Sequence, residues 1–280
     1  MPMKKIAVVP TLLTLGNGVS GFVAITWASK IMPGETPERI DYCFTMSGWF
    51  LIFAMFFDML DGYVARLSKT ASKFGGELDS LCDAISFGVA PAFLLLKLSP
   101  IWAHKSLHEL VAGIAGLYMV CAVLRLARFN VDNTPDPASH KRFRGLPSPG
   151  AAGTLAALSI FRGSFPAKFA TQWFEADIVA IRETTQQFVE IAGPVVALIV
   201  ALLMVSLVPY PHVTKQVFRG RRPVAHVIQV VMAALVIILV QELTLLLIFW
   251  LYAFAFPIRA LFVRGVAPAS VIPTEEAPRV

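Results

Sequence analysis

Charge is scarce in this chain of 280 residues. Only 15% are Asp, Glu, Lys or Arg, whereas a soluble domain carries about a quarter, so a water-soluble globular fold is excluded. Disorder is excluded too, because it requires low hydrophobicity and high net charge. Cysteine is also rare. Cys43, Cys82 and Cys121 stand far apart in apolar stretches with no CxxC pair, which argues against a disulfide framework or a zinc site and leaves them as small buried hydrophobes. The five histidines are scattered without ligand spacing. No Ser–His or Cys–His pair is visible, and no internal repeat stands out. A Pro-rich stretch after Pro268 reads as a disordered tail over 264–280.

What is abundant is apolar sequence: 56% of the chain is hydrophobic and the mean hydropathy is +0.69. A membrane-crossing helix needs about 20 mainly apolar residues. The sequence predicts an all-α, polytopic transmembrane bundle of about eight spans, at residues 8–29, 43–66, 77–97, 106–129, 147–163, 188–208, 224–240 and 243–263. These form a single catalytic domain over 1–263. The last two spans divide one apolar block at Gln241 and Glu242. The first run follows Lys4 and Lys5 and continues past Pro10 to about Ala28 without a small-residue cleavage pattern, so it reads as a retained helix rather than a signal peptide.

The +6 formal charge reads as topology, not as nucleic-acid binding. Seventeen of the 24 basic residues fall on one side of the predicted spans. The other side keeps Lys30, Arg39, Lys97, Lys105, Arg162, Lys168 and Arg182. Positive charge marks the cytoplasmic side, so both termini are expected there.

Four acids break the apolar pattern: Asp58 and Asp61 near the end of span two, and Asp79 and Asp83 near the start of span three. At 1.5 Å per residue they lie within about 9 Å of the same cytoplasmic edge. Each charge at membrane depth costs about 2.5–3.5 kcal/mol, so four together need compensation. The spacings i,i+3 and i,i+4 put each pair on one helix face, and adjacent helices can bring the pairs together. Two divalent cations would neutralise the four carboxylates, and all-oxygen donors suit Mg²⁺ or Mn²⁺. Such a pair suits in-line displacement at phosphorus. A cytoplasmic site at this depth meets both nucleotides and lipid phosphates. Two alternatives remain: structural salt bridges to Arg66, Arg125 or Arg128, and a cation transporter using intramembrane carboxylates.

Residues 58–83 read Asp58-x2-Asp61-Gly62-x2-Ala65-Arg66-x8-Gly75-x3-Asp79-x3-Asp83. This string resembles the complete signature of the CDP-alcohol phosphotransferase family. Thr14-Leu15-Gly16-Asn17, AISFGVAPA at 84–92, LRLARFNV at 124–131 and FRGLPSPG at 143–150 are similar to its CDP-diacylglycerol–serine O-phosphatidyltransferases of the membrane-embedded type. The likeness covers about 8–150 and is mainly hydropathic afterwards. The HxKx4D motif of the unrelated phospholipase-D-like synthases is absent.

The resemblance implies that Asp58, Asp61, Asp79 and Asp83 bind two metals, with Asp83 also the general base toward the serine hydroxyl. It implies attack at the lipid-side phosphorus of CDP-diacylglycerol, release of CMP, and a homodimer. Gly62, Ala65, Arg66 and Gly75 would line the CDP site, with Thr14 and Asn17 reaching the nucleotide. Gly62 permits close approach of a flat ring, Arg66 offers a fork for phosphate, and Gly75 lets the loop turn before span three. Candidates for serine binding are Arg128, Asn130, Lys141, Arg144 and Ser86. Other acceptors with the same chemistry are glycerol 3-phosphate, inositol phosphate and choline.

Overall fold

The protein is analysed as a computed structural model that describes residues 8–68, 72–98, 105–132, 145–169, 177–208 and 241–264. The described residues are helical throughout their long segments: α1 (Val8–Ser29), α2 (Pro37–Leu67), α3 (Lys73–Asp83), a wide π turn (Ala84–Val89), α4 (Ala90–Leu98), α5 (Lys105–Asp132), α6 (Ser148–Lys168), α7 (Ile178–Val205) and α8 (Gln241–Arg264). Local chemistry sets several starts. The Thr36 hydroxyl accepts from the Arg39 N–H ahead of Pro37, Ser72 does the same for Gly75, and Asp177 caps α7 through Val179. Seven of the eight expected spans correspond to these helices, and residues 224–240 lie outside the described residues. Among the described residues six helical segments are long and apolar enough to cross a membrane, which makes the chain an integral, multi-pass membrane protein.

The structure differs from the expected spans in several details: α2 and α7 start at Pro37 and Ile178, earlier than 43 and 188, because their opening stretches carry polar and charged residues. The third span is not one regular helix: it passes from α3 through the wide turn into α4, with Pro91 just beyond that turn, where it offers no backbone N–H. Gly75 lies in the first turn of α3 rather than in the preceding loop, because Ser72 starts the helix earlier.

At the centre stands α6. Every residue from Ser148 to Gly163 except Pro149 is buried, and much of this stretch is Gly, Ala and Ser. A helix surrounded by other helices needs small residues for close approach rather than large lipid-facing ones. Hydrogen bonds reinforce the packing: Ser159 Oγ donates to the Phe44 carbonyl at 2.8 Å, and Ser47 Oγ of α2 donates to the Ala24 carbonyl of α1 at 2.9 Å.

One end of the bundle is held by an ionic network. Asp41 of α2, 5% exposed, accepts from Arg162 at 2.6 Å through one oxygen and from Arg182 at 2.8 Å through the other. Arg162 also donates to Gln186 at 3.2 Å and Arg182 to Glu38 at 3.3 Å, while Lys168 pairs with buried Glu242 at 2.5 Å. Arg162 and Arg182, expected as topology-setting charges, therefore also join α2, α6 and α7. Asp41→Ala would leave a buried guanidinium without its acid, at an expected cost of about 3–5 kcal/mol. The check is the midpoint of thermal unfolding in detergent; a wild-type midpoint would show that the network does not hold these helices.

Candidate active site

The other end of the bundle carries the four aspartates. The last turns of α2 present Asp58 and Asp61, and α3 presents Asp79 and Asp83. One carboxylate oxygen from each of Asp58, Asp61 and Asp79 lies within 4.8 Å of the other two. Asp61 Oδ2 and Asp79 Oδ1 are buried without a hydrogen-bond partner. Unpaired buried carboxylate oxygens facing a common centre fit a hard divalent cation that accepts only oxygen donors.

Asp83 stands beside this triplet rather than in it. It is 8% exposed, and its Oδ1 accepts from the Asn17 amide at 2.8 Å. It lies within electrostatic reach of Asp58, Asp79 and Asp61. Helix α1 thus forms a third wall: Asn17 is fully buried, and the Thr14 hydroxyl lies beside the Asp61 carboxylate while donating to the Pro10 carbonyl at 3.0 Å. Ser86, also fully buried, donates to the Asn17 carbonyl at 2.9 Å. Its hydroxyl is therefore an interhelix tie.

Neither Arg66 nor Arg125 forms an ion pair with any of the four aspartates among the described residues. Arg66 is exposed, and its guanidinium lies over Gly62, where an added Cβ would meet it at 3.5 Å. Ala65 is half-buried and Arg128 exposed. Asn130 is bonded to Ser80, the neighbour of Asp79, with the Asn130 amide donating at 2.8 Å. Lys141 and Arg144 lie outside the described residues.

Arg125 is the residue whose placement the sequence did not reveal. It donates to Ser148 Oγ at 2.7 Å and acts electrostatically on Asp83 and Asp58. Tyr118, Ala122 and Arg125 follow one another at helical spacing on the buried face of α5, a signal that separates Arg125 from exposed Arg128. Ser148 is held in turn by the approach to α6. Gly145 adopts φ 92° and donates to the Val208 carbonyl at 2.8 Å, and Leu146 donates to the Leu203 carbonyl at 3.0 Å. A side chain at 145 would be strained in that conformation and would run into the Met204 carbonyl.

The arrangement offers a carboxylate centre for a divalent cation, a separately oriented carboxylate, and a cation close to both. Replacing Asp79 by Asn removes one of three anionic donors. Mn²⁺ binding to the purified protein, followed by isothermal titration, is expected to weaken by about tenfold or more. Equal affinities would show that Asp79 is not a ligand.

Comparison with known proteins places this site in context. The CDP-alcohol phosphatidyltransferase family profile matches residues 7–202. A CDP-diacylglycerol–serine O-phosphatidyltransferase of Helicobacter pylori is 36% identical over 153 residues, covering 54% of this chain and 57% of that protein. One from Methanocaldococcus jannaschii is 30% identical over 217 residues, covering 77% and 80%. An archaetidylserine synthase of Methanothermobacter thermautotrophicus is 30% identical over 206 residues, covering 73% and 70%. The chain thus spans a little over half the length of the Helicobacter protein and four-fifths of the Methanocaldococcus one. The family match takes in both aspartate pairs and the helices α1, α3, α5 and α6 that surround them, and this chain belongs to the CDP-alcohol phosphatidyltransferase family.

Proposed function

We propose that the chain transfers a phosphatidyl group from CDP-diacylglycerol to L-serine, giving phosphatidylserine and CMP, as a single membrane-embedded catalytic unit. The observation that carries this reading is the convergence of Asp58, Asp61 and Asp79 oxygens within 4.8 Å, inside the family match and next to an independently held Asp83. The names of the relatives support serine as the acceptor. Asp58, Asp61 and Asp79, with Asp83, are the residues to hold two divalent cations, magnesium or manganese. Bound there, the cations supply the positive charge that polarises a diphosphate and stabilises a leaving phosphate.

The chain's own residues then divide the work. Gly62, Ala65, Arg66 and Gly75, with Thr14 and Asn17 of α1, form the CDP side, where Arg66 over Gly62 meets phosphate. Asn17 engages one oxygen of Asp83 and leaves the other for the acceptor hydroxyl. The serine oxygen attacks the lipid-side phosphorus as Asp83 takes its proton. The new O–P bond forms, the P–O bond to CMP breaks, and CMP leaves with that electron pair.

The serine carboxylate needs a cation. Arg125 suits it best: one guanidinium nitrogen rests on Ser148, and the remainder of the fork has no other bond among the described residues. Arg128 is a further basic candidate, Lys141 and Arg144 stay candidates from the sequence alone, and Asn130 and Ser86 act through their bonds to Ser80 and Asn17. The basic-residue bias favours a cytoplasmic site and cytoplasmic termini, and a homodimer is the expectation that goes with the family resemblance.

The test is CMP release by purified protein given CDP-diacylglycerol, Mg²⁺ or Mn²⁺, and each alcohol in turn. Release with serine alone is expected. Release only with glycerol 3-phosphate, inositol phosphate or choline would reassign the acceptor, and no release together with cation flux in liposomes would favour a transporter. Asp83→Asn is expected to lower kcat by about a hundredfold or more. Arg125→Lys is expected to raise KM for serine by about tenfold, with KM for CDP-diacylglycerol little changed; an unaltered serine KM would remove Arg125 from the acceptor site.

A further inference from the structure

Asp83 is the last residue before the wide turn Ala84–Val89, in which the Ala90 N–H bonds to the Ile85 carbonyl, five residues back instead of four. The cause is written in the sequence. In a regular α-helix the donor to the Phe87 carbonyl is residue 91, and Pro91 has no N–H. Phe87 is fully buried, so its carbonyl cannot turn to water and needs another partner.

Tyr118 of α5, itself fully buried, supplies it, with its hydroxyl donating to the Phe87 carbonyl at 3.1 Å. From the other side, α1 holds the same turn through Ser86 Oγ to the Asn17 carbonyl at 2.9 Å, and Asn17 returns to Asp83 at 2.8 Å. The approach of α1 is close enough that a Cβ at Gly21 would come within 2.7 Å of the Ser86 Cα. The wide turn is thus fastened on two faces.

Its consequence is rotational. Each residue advances an α-helix by about 100°, so one additional residue in a turn rotates the preceding helix face relative to the following one by about that angle. Below the turn, Asp79 and Asp83 face the acidic site. Above it, α4 buries Leu94, Leu95 and Leu98 in the bundle. Without the additional residue, one of these faces would point away from its partners.

We propose that Tyr118 is a positioning residue: its bond to the Phe87 carbonyl holds the wide turn that aims Asp83 at the reacting groups. The proposal rests on phosphatidyl transfer as the work of Asp83. Tyr118→Phe keeps the ring and removes only the bond. It is expected to lower kcat for CMP release by between about tenfold and a hundredfold, the effect of a small misplacement of a reacting group, with KM for CDP-diacylglycerol within about twofold of wild type. Amides 84–90 should exchange with deuterium about tenfold faster or more, with α6 unchanged. Adding Pro91→Ala returns a backbone donor to Phe87. In that double variant the melting temperature should recover while kcat stays low, because the restored α turn lacks the additional residue. Wild-type kcat in Tyr118→Phe, or recovery of kcat together with stability in the double variant, would overturn the proposal. Unchanged exchange at 84–90 would do so whatever the activity. If wild-type protein releases no CMP with any acceptor, the phosphatidyl-transfer reading fails, and the exchange arm by itself decides whether Tyr118 holds the turn.

Discussion

Four carboxylates gathered at one end of an apolar bundle repel one another, and the described side chains offer them no direct ion pair. Much of the local structure follows from that constraint. Asp61 and Asp79 retain buried oxygens with no hydrogen bond, while Asp83 has a single amide partner in Asn17. Protein interiors rarely leave such groups unpaired, and the exceptions mark places where something else is to be bound. Here the donor set, its sign and its geometry fit a hard cation.

The opposite end of the same bundle shows what full internal compensation looks like. Asp41 is as buried as Asp61, yet it is bracketed by Arg162 and Arg182, with Gln186 and Glu38 each accepting one further guanidinium bond. One acid is saturated and ties three helices together; the other four are held apart from their nearest cation. Arg125 illustrates the difference. It is close enough to act on Asp83 and Asp58, but its bond goes to Ser148. A cation near an acidic site that forms no ion pair with it keeps its charge available to an anionic group, the role proposed for it toward the acceptor's carboxylate.

Between the two ends, packing converts sequence into position. The small residues of α6 let α2, α7 and α8 crowd around it, and Gly145 brings the start of that helix against the end of α7, fixing Ser148 and through it Arg125. On the other side of the site, Pro91 opens the helix by one residue, and α1 and α5 fasten the opening with Ser86 and Tyr118. The site is therefore framed by α1, α2, α3, α5 and α6, although its acids come from only two of them.

The amino-acid sequence by itself determined the membrane class, most of the helices and the identity of the acidic site, because apolar runs and intramembrane carboxylates are local signals with a large transfer cost. It began the spans at 43, 77 and 188, later than the observed starts at Pro37, Lys73 and Ile178, because an apolar run does not register the polar opening stretches that Thr36, Ser72 and Asp177 cap. Only the tertiary structure decided which charges meet. It separated Asp83 from the triplet, gave Asp41 its two arginines, turned Ser86 and Asn130 into ties, and set half-buried Arg125 within electrostatic reach of Asp83 and Asp58. The reason is physical. Burial cost depends on residue type and can be read along the chain, whereas a hydrogen bond between Asn17 and Asp83, 66 positions apart, depends on how helices rotate and approach, and that is set by packing among all of them.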